Sequence, residues 1–140
     1  MNVKGKNIII TGGSLGIGKE TARALVKKGA NVLITGRSEN RLIEAKSYTG
    51  SKIIEFDISD YENICENAKK CIDILDGRVD VLINNAGIGV RKSIDELNIE
   101  DFLKVFNVNV FGLALFTKEI VPHMIKESYG TIINIGSTAS

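Results

Sequence analysis

Five short apolar runs alternate along the chain with longer segments of mixed polarity. β-Branched side chains are frequent in these runs, and the apolar residues are continuous, which is typical of strands buried on both faces of a sheet. The pattern therefore predicts five parallel strands. They span Asn7–Thr11, Asn31–Gly36, Lys52–Phe56, Asp80–Asn84 and Gly130–Gly136.

The intervening segments predict helices. The first covers Gly16–Lys28 and closes at Gly29, and a second, polar helix covers Glu39–Ser47. The third carries the clearest stripe of side chains that repeat every three or four residues. That stripe comprises Tyr61, Ile64, Cys65, Ala68, Cys71, Ile72 and Leu75.

A fourth, long helix is predicted over Glu100–Lys126, and Pro122 is expected to kink its end. The side chains expected on its apolar side are Phe102, Val105, Phe106, Leu113, Phe116 and Ile120. The alternation of strands and helices indicates an α/β protein with a doubly wound parallel sheet. Residues 1–140 are expected to form one domain, because the length suits a single core.

Two cysteines and one histidine limit the possible chemistry. Cys65 and Cys71 lie on the stripe of the third helix, so both are expected in the core rather than in a redox or metal site. On a helix they would lie about 9 Å apart along the axis, too far for a disulfide. His123 is the only histidine, so the chain has no pair of imidazoles for a histidine-based metal site, and no metal is expected.

Composition and charge exclude several classes of partner. The 140 residues are 44% hydrophobic and 25% charged, as in a globular protein, and the formal net charge is +1. This balance gives no electrostatic reason to expect nucleic acid or an anionic membrane as a partner. The sequence carries no apolar run long enough to span a membrane and no signal-peptide pattern, so we expect a cytoplasmic location.

A glycine-rich segment, TGGSLGIG, joins the first predicted strand to the first helix. Gly12 would permit a tight turn, Gly16 would let a ligand approach the backbone, and Gly18 would let the helix pack closely. The free N–H groups and positive dipole at the start of the helix would favour a pyrophosphate. The alternative is a glycine-rich turn that binds no ligand.

Three further motifs accompany the glycine turn: NNAG after the fourth strand, NVNVFG in the long helix and IINIGS in the fifth strand. Together they strongly resemble the amino-terminal portion of the short-chain dehydrogenase/reductase family, classical type. The resemblance implies a Rossmann-like nucleotide-binding domain that ends after its fifth strand. It also implies a nicotinamide cofactor and a small-molecule carbonyl or alcohol substrate.

The resemblance implies a set of cofactor-binding residues. They are Gly12, Ser14, Leu15, Gly16, Ile17, Gly18, Arg37, Asp57, Ile58, Asn84, Ala86 and Gly87. In the family, the residue matched by Asp57 accepts a hydrogen bond from the adenine amino group, and Ile58 would line the ring pocket. Taken alone, Asp57 could equally cap the third helix.

The end of the second strand bears on the choice between NADP and NAD. Gly36 stands where an acidic residue would receive the ribose hydroxyls of NAD, and Arg37 follows it. Without a carboxylate, the guanidinium could bind the 2′-phosphate, which favours NADP (NADPH), with NAD the less favoured cofactor. NADP-dependent relatives often carry a basic residue inside the glycine turn, where this chain has Leu15. The alternative is that Arg37 is a solvated surface residue.

Two residues match members of the family's catalytic group. Asn109 matches the helix asparagine that holds a water of the proton relay, although it could instead be a structural amide. Ser137 matches the serine that hydrogen-bonds the substrate carbonyl. The family's Tyr-x-x-x-Lys pair would follow Ser137, and the sequence stops at Ser140. Tyr48 and Lys52 have this spacing, but Gly50 between them should break the helix, and they precede the third strand.

The resemblance implies an NADP-dependent oxidoreductase, for example a 3-oxoacyl-type reductase, present as an amino-terminal fragment that is expected to be inactive by itself. An apolar face beside the fifth strand should stay uncovered, which favours a homo-oligomer. One alternative is a non-catalytic NADP(H)-binding module or sensor. A second alternative is a structural α/β domain with an empty turn.

Overall fold

A computed structural model describes residues 2–137. Within this range five parallel strands form one sheet in the order β3-β2-β1-β4-β5. The strands are β1 (Asn7–Ile10), β2 (Asn31–Gly36), β3 (Lys52–Glu55), β4 (Val81–Asn84) and β5 (Thr131–Asn134). After β3 the chain crosses back to pair β4 with β1. This reversal confirms the doubly wound α/β sheet and places a crevice at the carboxyl ends of β1 and β4.

Helices cover both faces of the sheet. They are α1 (Gly16–Lys27), α2 (Glu39–Thr49), α3 (Ile64–Ile74), α4 (Ile99–Phe106) and α5 (Leu113–Lys126). Gly50 ends α2 in the left-handed conformation, at a φ of 76°. Asn98 caps α4 by accepting a hydrogen bond from the Asp101 amide, and a π-helical segment, Asn107–Gly112, joins α4 to α5.

Alternate residues of the strands pack into two separate layers of core, because successive strand side chains point to opposite faces. On one face Ile9, Leu33 and Leu82 pack with α3 and α5. On the other face Ile8 and Ile34, with their neighbours, pack with α1 and α2. Both faces of the central strands are therefore shielded from water, and buried polar side chains lie at or near the strand ends: Thr11, Thr35 and Asn84.

The prediction that both cysteines are core residues is wrong for Cys65. Cys71 is buried, and burial raises the pKa of its thiol to about 12, whereas Cys65 is exposed. The helix begins only at Ile64, and Cys65 lies about 100° around the helix from it, at the margin of the buried arc. Tyr61 precedes the helix and is 38% exposed.

The long helix also departs from its predicted pattern. Phe102 and Phe106 were expected on its buried side, but each is 47% exposed. The π segment adds a residue to one turn and so rotates the later turns of the helix. From the π segment onwards the buried residues recur every four positions: Val108, Gly112, Phe116, Ile120 and Met124. Pro122 lies inside α5, which continues to Lys126.

Candidate functional site

A cleft of about 840 Å³ lies at the carboxyl ends of β1, β2 and β4, where the crevice was expected. This volume is within the usual range for a small-molecule or cofactor site. Ten of the predicted cofactor-binding residues line it: Gly12, Ser14, Leu15, Gly16, Ile17, Arg37, Asp57, Ile58, Ala86 and Gly87. The other two predicted cofactor-binding residues, Gly18 and Asn84, do not line it.

The glycine turn forms one wall of the cleft. Gly12 has a φ of 66°, and a methyl group there would lie 2.7 Å from the Ala86 Cα, so only glycine fits. Gly16 also has a positive φ of 53°, but a methyl group there would meet no other described atom within 4 Å. The turn is therefore packed tightly against the loop after β4 and is open to a ligand at Gly16.

The start of α1 presents backbone donors beside this wall. The helix begins at Gly16, and within the described chain no side chain caps its first amides. Uncapped N–H groups and the helix dipole favour an anion at this position. Gly18 packs the first turn closely, since a methyl group there would lie 2.5 Å from the Asn85 Nδ2 atom.

Asn85, which we did not predict as a site residue, fixes the position of the glycine turn. Its Nδ2 donates to the carbonyl oxygens of Thr11 and Gly12, at 3.1 Å each. In return, the backbone N–H groups of Asn85 and Ala86 donate to the Thr11 hydroxyl at 3.0 Å. Thr11 is fully buried, so these four bonds tie the end of β1 to the loop after β4.

Asn84 acts in the sheet rather than in the wall of the cleft. Its Nδ2 donates to Thr117 Oγ1 and Asn134 Oδ1, both at 2.9 Å. The Asn84 Oδ1 atom is buried and has no hydrogen-bond partner among residues 2–137. The side chain thus joins β4 to β5 and α5.

Arg37 and Asp57, which follow β2 and β3, face each other in the wall of the cleft. The Arg37 Nη1 atom lies 3.9 Å from Asp57 Oδ2, and both side chains are partly exposed. The other Asp57 oxygen accepts hydrogen bonds from the Ser59 amide at 2.9 Å and the Ser59 hydroxyl at 2.7 Å. Asp57 therefore closes a local turn and does not cap α3, whose N-cap is Asn63.

Asn109 lies in the π segment and is bonded to the loop after β4. Its Oδ1 accepts from the Ile88 amide at 2.8 Å, and its Nδ2 donates to the Ile88 carbonyl oxygen at 2.9 Å. Ile88 lines the cleft, so Asn109 holds one part of the cleft wall in place. Asn109 therefore has a structural contact with this loop, and its role in a proton relay stays a prediction.

Ser137 is the last described residue and follows β5. β5 pairs in register with β4, with Asn134 opposite Asn84, and the Ile135 amide donates to the Asn84 carbonyl oxygen at 2.9 Å. Ser137 therefore lies at the same edge of the sheet as the loop after β4. Its predicted bond to a substrate carbonyl stays a prediction.

Tyr48 and Lys52 cannot act as a pair at the cleft. Tyr48 lies on α2, and the cationic groups of Lys19 and Arg23 lie 4.9 and 4.3 Å from the centre of its ring. Lys52 begins β3 and donates to the Ile74 carbonyl oxygen at 2.6 Å. The start of β3 is the amino-terminal edge of the sheet, opposite the cleft. Gly50 separates the two residues by ending α2, as the sequence predicted.

Two further features describe the rest of the chain within residues 2–137. No group of three or more His, Cys, Asp or Glu side chains is arranged to hold a metal ion. None of the described helices is long and apolar enough to cross a membrane.

Comparison with known proteins agrees with this architecture. The sequence model for short chain dehydrogenase matches residues 6–140. An uncharacterized oxidoreductase of Staphylococcus epidermidis is 33% identical over 139 residues, which are 98% of this chain and 60% of that protein. The 3-oxoacyl-[acyl-carrier-protein] reductase FabG of Vibrio harveyi is 34% identical, over 98% of this chain and 57% of its own.

A solved structure of NAD⁺-bound xylitol dehydrogenase superposes with a TM-score of 0.88 at 26% identity, covering 99% of this chain and 55% of that one. The chain therefore matches only part of each of these proteins, for example about 60% of the length of the staphylococcal relative. Because the family model matches nearly every residue of the sheet and cleft described above, this chain belongs to the short-chain dehydrogenase/reductase family.

Proposed function

We propose that the protein is an NADP-dependent oxidoreductase that transfers a hydride between the nicotinamide cofactor and a carbonyl or alcohol substrate. The observation that carries this proposal is the cleft at the switch point of the sheet, which is lined by the glycine turn and by Arg37. When bound, the cofactor supplies the hydride chemistry. The chain's own residues bind and orient it.

The wall of the cleft suits a dinucleotide. The uncapped amides at the start of α1 would hold the pyrophosphate, and the lack of a side chain at Gly16 leaves room for it. Ile58 and Val108 supply apolar surface for an adenine ring. Ala86 and Gly87 would contact the adenine ribose. Asn84 was predicted to contact the cofactor, but it does not line the cleft. It would instead support the wall by holding β4 beside β5 and α5.

The second strand supports a preference for NADP over NAD. Gly36 lines the cleft without a carboxylate, and a methyl group there would already lie 3.2 Å from Ser14 Oγ. A side chain at this position would therefore require the Ser14 hydroxyl to shift by a few tenths of an ångström. The Arg37 guanidinium is exposed, and at 3.9 Å from Asp57 it keeps hydrogen-bond donors for a phosphate.

For the substrate, we propose a carbonyl compound such as a 3-oxoacyl thioester, because one relative is a 3-oxoacyl-[acyl-carrier-protein] reductase. Ser137 would donate a hydrogen bond to the carbonyl oxygen, and Asn109 would hold a water of the proton relay. The general acid would be the tyrosine of a Tyr-x-x-x-Lys pair. The only pair with that spacing in these 140 residues is Tyr48 and Lys52, so we propose that this chain alone does not turn over substrate.

A titration tests the proposal. The chain contains no tryptophan, so the fluorescence of a bound reduced nicotinamide can be followed without tryptophan background. We expect NADPH to bind more tightly than NADH, and Arg37→Asp to weaken NADPH binding about 10- to 100-fold more than NADH binding. Equal losses for the two cofactors would contradict the NADP assignment, and no binding of either would contradict the proposed function.

The second candidate is a non-catalytic NADP(H)-binding module. It is favoured by a cleft that suits a dinucleotide, together with the position of Tyr48 and Lys52, the one Tyr-x-x-x-Lys pair of these 140 residues, at the opposite edge of the sheet. The coding sequence after Ser140 separates the two candidates. A continuing frame with a Tyr-x-x-x-Lys pair, and ketone reduction by the extended chain, would support the enzyme. A stop codon there would support the binding module.

Self-association is also proposed. Large apolar side chains are exposed at two places. In and just after β5, Ile132, Ile133 and Ile135 are 39–44% exposed, and on α4 Phe102 and Phe106 are each 47% exposed. Exposed apolar surface of this extent favours contact with a second copy. Sedimentation velocity should show a dimer or larger species, and a monomer at all concentrations would contradict this. The cytoplasmic location stays a prediction.

A further inference from the structure

We infer that Arg41 is a specificity-determining residue of the cleft, whose guanidinium binds the 2′-phosphate of NADP together with Arg37. This inference rests on the proposed function. Arg41 was not among the predicted site residues, yet it lines the same cleft as Arg37 and Ser38. The two arginines thus approach one end of the cleft from the loop and from the first turn of α2.

The position of Arg41 is unfavourable for the helix alone. It is the third residue of α2, and a cation in the first turn is repelled by the positive end of the helix dipole. In the described part of the chain, no carboxylate lies within 4 Å of its guanidinium. Nothing in the described chain offsets this charge at close range, whereas an anion in the cleft would do so.

Arg37 alone is poorly matched to the charge of a phosphate. Its guanidinium already faces the Asp57 carboxylate at 3.9 Å, which offsets part of its charge. A phosphate monoester carries between one and two negative charges near neutral pH. The glycine turn, Thr11–Gly18, contains no cation, and Leu15 is 49% exposed there. Arg41 is therefore the cation of the cleft that can supply the missing charge.

Ser38 adds a third group to the same end of the cleft. It is the N-cap residue of α2 with extended backbone, and its side chain makes no capping hydrogen bond within residues 2–137. Its hydroxyl is thus not committed to the helix. Arg37, Ser38 and Arg41 together present two forked cations and a hydroxyl, a donor set that suits a phosphate better than a ribose hydroxyl.

The test compares NADPH and NADH binding to wild type, Arg41→Ala and Arg37→Ala, with circular dichroism to verify folding. Lys46→Ala is the matched control, because Lys46 is exposed on the same helix and does not line the cleft. We expect Arg41→Ala to weaken NADPH binding about 10- to 100-fold, with little change for NADH. Lys46→Ala should change neither. Arg41→Ala should also reduce the dependence of NADPH affinity on salt concentration, because it removes a cation–phosphate contact.

The outcomes separate this inference from the function on which it rests. If wild type prefers NADPH, and Arg37→Ala removes the preference but Arg41→Ala does not, the inference is wrong and the proposed function stands. If Arg41→Ala weakens NADPH and NADH equally, Arg41 contacts a part common to both cofactors, and the inference is again wrong. If wild type binds neither cofactor, the proposed function itself fails.

Discussion

Asn109 satisfies both backbone hydrogen-bonding groups of Ile88, accepting from its amide at 2.8 Å and donating to its carbonyl oxygen at 2.9 Å. One amide side chain in a π-helical turn thereby fixes a loop residue in the wall of the cleft. We therefore expect Asn109→Leu, which has a similar size but no polar atoms, to destabilise the fold by about 1–3 kcal/mol, because two backbone groups lose their partner. Urea unfolding measures this change.

Asn40→Ala serves as the control for Asn109, because Asn40 is exposed on α2 and should change stability little. Asn109→Asp retains the acceptor for the Ile88 amide but loses the donor. Its second carboxylate oxygen would face the Ile88 carbonyl oxygen, so it should also be less stable than wild type. Equal stability of Asn109→Leu and wild type would show that the loop does not depend on these two bonds.

The glycine turn permits a matched comparison of two sites with positive φ. Gly12 and Gly77 have φ values of 66° and 83°, but only at Gly12 would a methyl group clash, 2.7 Å from the Ala86 Cα. Gly77→Ala should cost only the backbone strain of about 1–2 kcal/mol. Gly12→Ala should cost clearly more, because backbone atoms must move apart. Similar midpoints of thermal unfolding for the two variants would contradict the close packing at Gly12.

Gly16→Ala separates binding from stability. Its φ of 53° imposes strain like that at Gly77, but its methyl group would project into open space beside the start of α1. We expect the two variants to be destabilised to a similar degree, while only Gly16→Ala weakens NADPH binding in the fluorescence titration. Unchanged NADPH affinity in Gly16→Ala would place the pyrophosphate elsewhere.

The strands could be predicted from the sequence because their apolar runs are continuous and short. The predicted first strand included Thr11, whereas β1 ends at Ile10. The Thr11 hydroxyl accepts hydrogen bonds from the Asn85 and Ala86 amides and so joins this strand end to the loop after β4. This contact joins residues far apart in the chain, and no local pattern reveals it. Asn85 was missed for the same reason, although it is the second residue of the NNAG motif.

The helices were harder to predict, because burial depends on their rotation. The π segment, Asn107–Gly112, adds one residue to a turn and so shifts the faces before and after it relative to each other. Phe116 and Ile120, after the segment, are buried as predicted, whereas Phe102 and Phe106, before it, are exposed. Arg41 was missed because a charged residue in a polar helix is ordinarily solvated. Only the packing of α2 beside the second strand brings it to the cleft.

Cys65 and Cys71 should differ in reactivity towards a thiol reagent. Only Cys65 is exposed, so we expect one fast-reacting thiol in the native chain, which Cys65→Ser removes and Cys71→Ser leaves unchanged. A hydrogen bond to Glu119, followed by the negative charge of that residue, raises the pKa of the Cys65 thiol. Glu119→Gln should therefore speed its reaction at neutral pH. Two thiols reacting at equal rates would contradict the burial of Cys71.

Asp80, buried at the start of β4, should make stability depend on pH. Burial by itself would raise its pKa, but hydrogen bonds from the Asn7 amide and the Arg78 guanidinium, with the charges of Arg78 and Lys6, hold that pKa below its usual value. The stabilisation is therefore present above the unfolded pKa of about 3.9 and is lost as pH falls through the folded pKa. Urea midpoints from pH 7 to 3 should fall more steeply for wild type than for Asp80→Asn, and the exposed-site control Asp73→Asn should follow wild type. Parallel curves for wild type and Asp80→Asn would show that this carboxylate is not the group that links folding to pH.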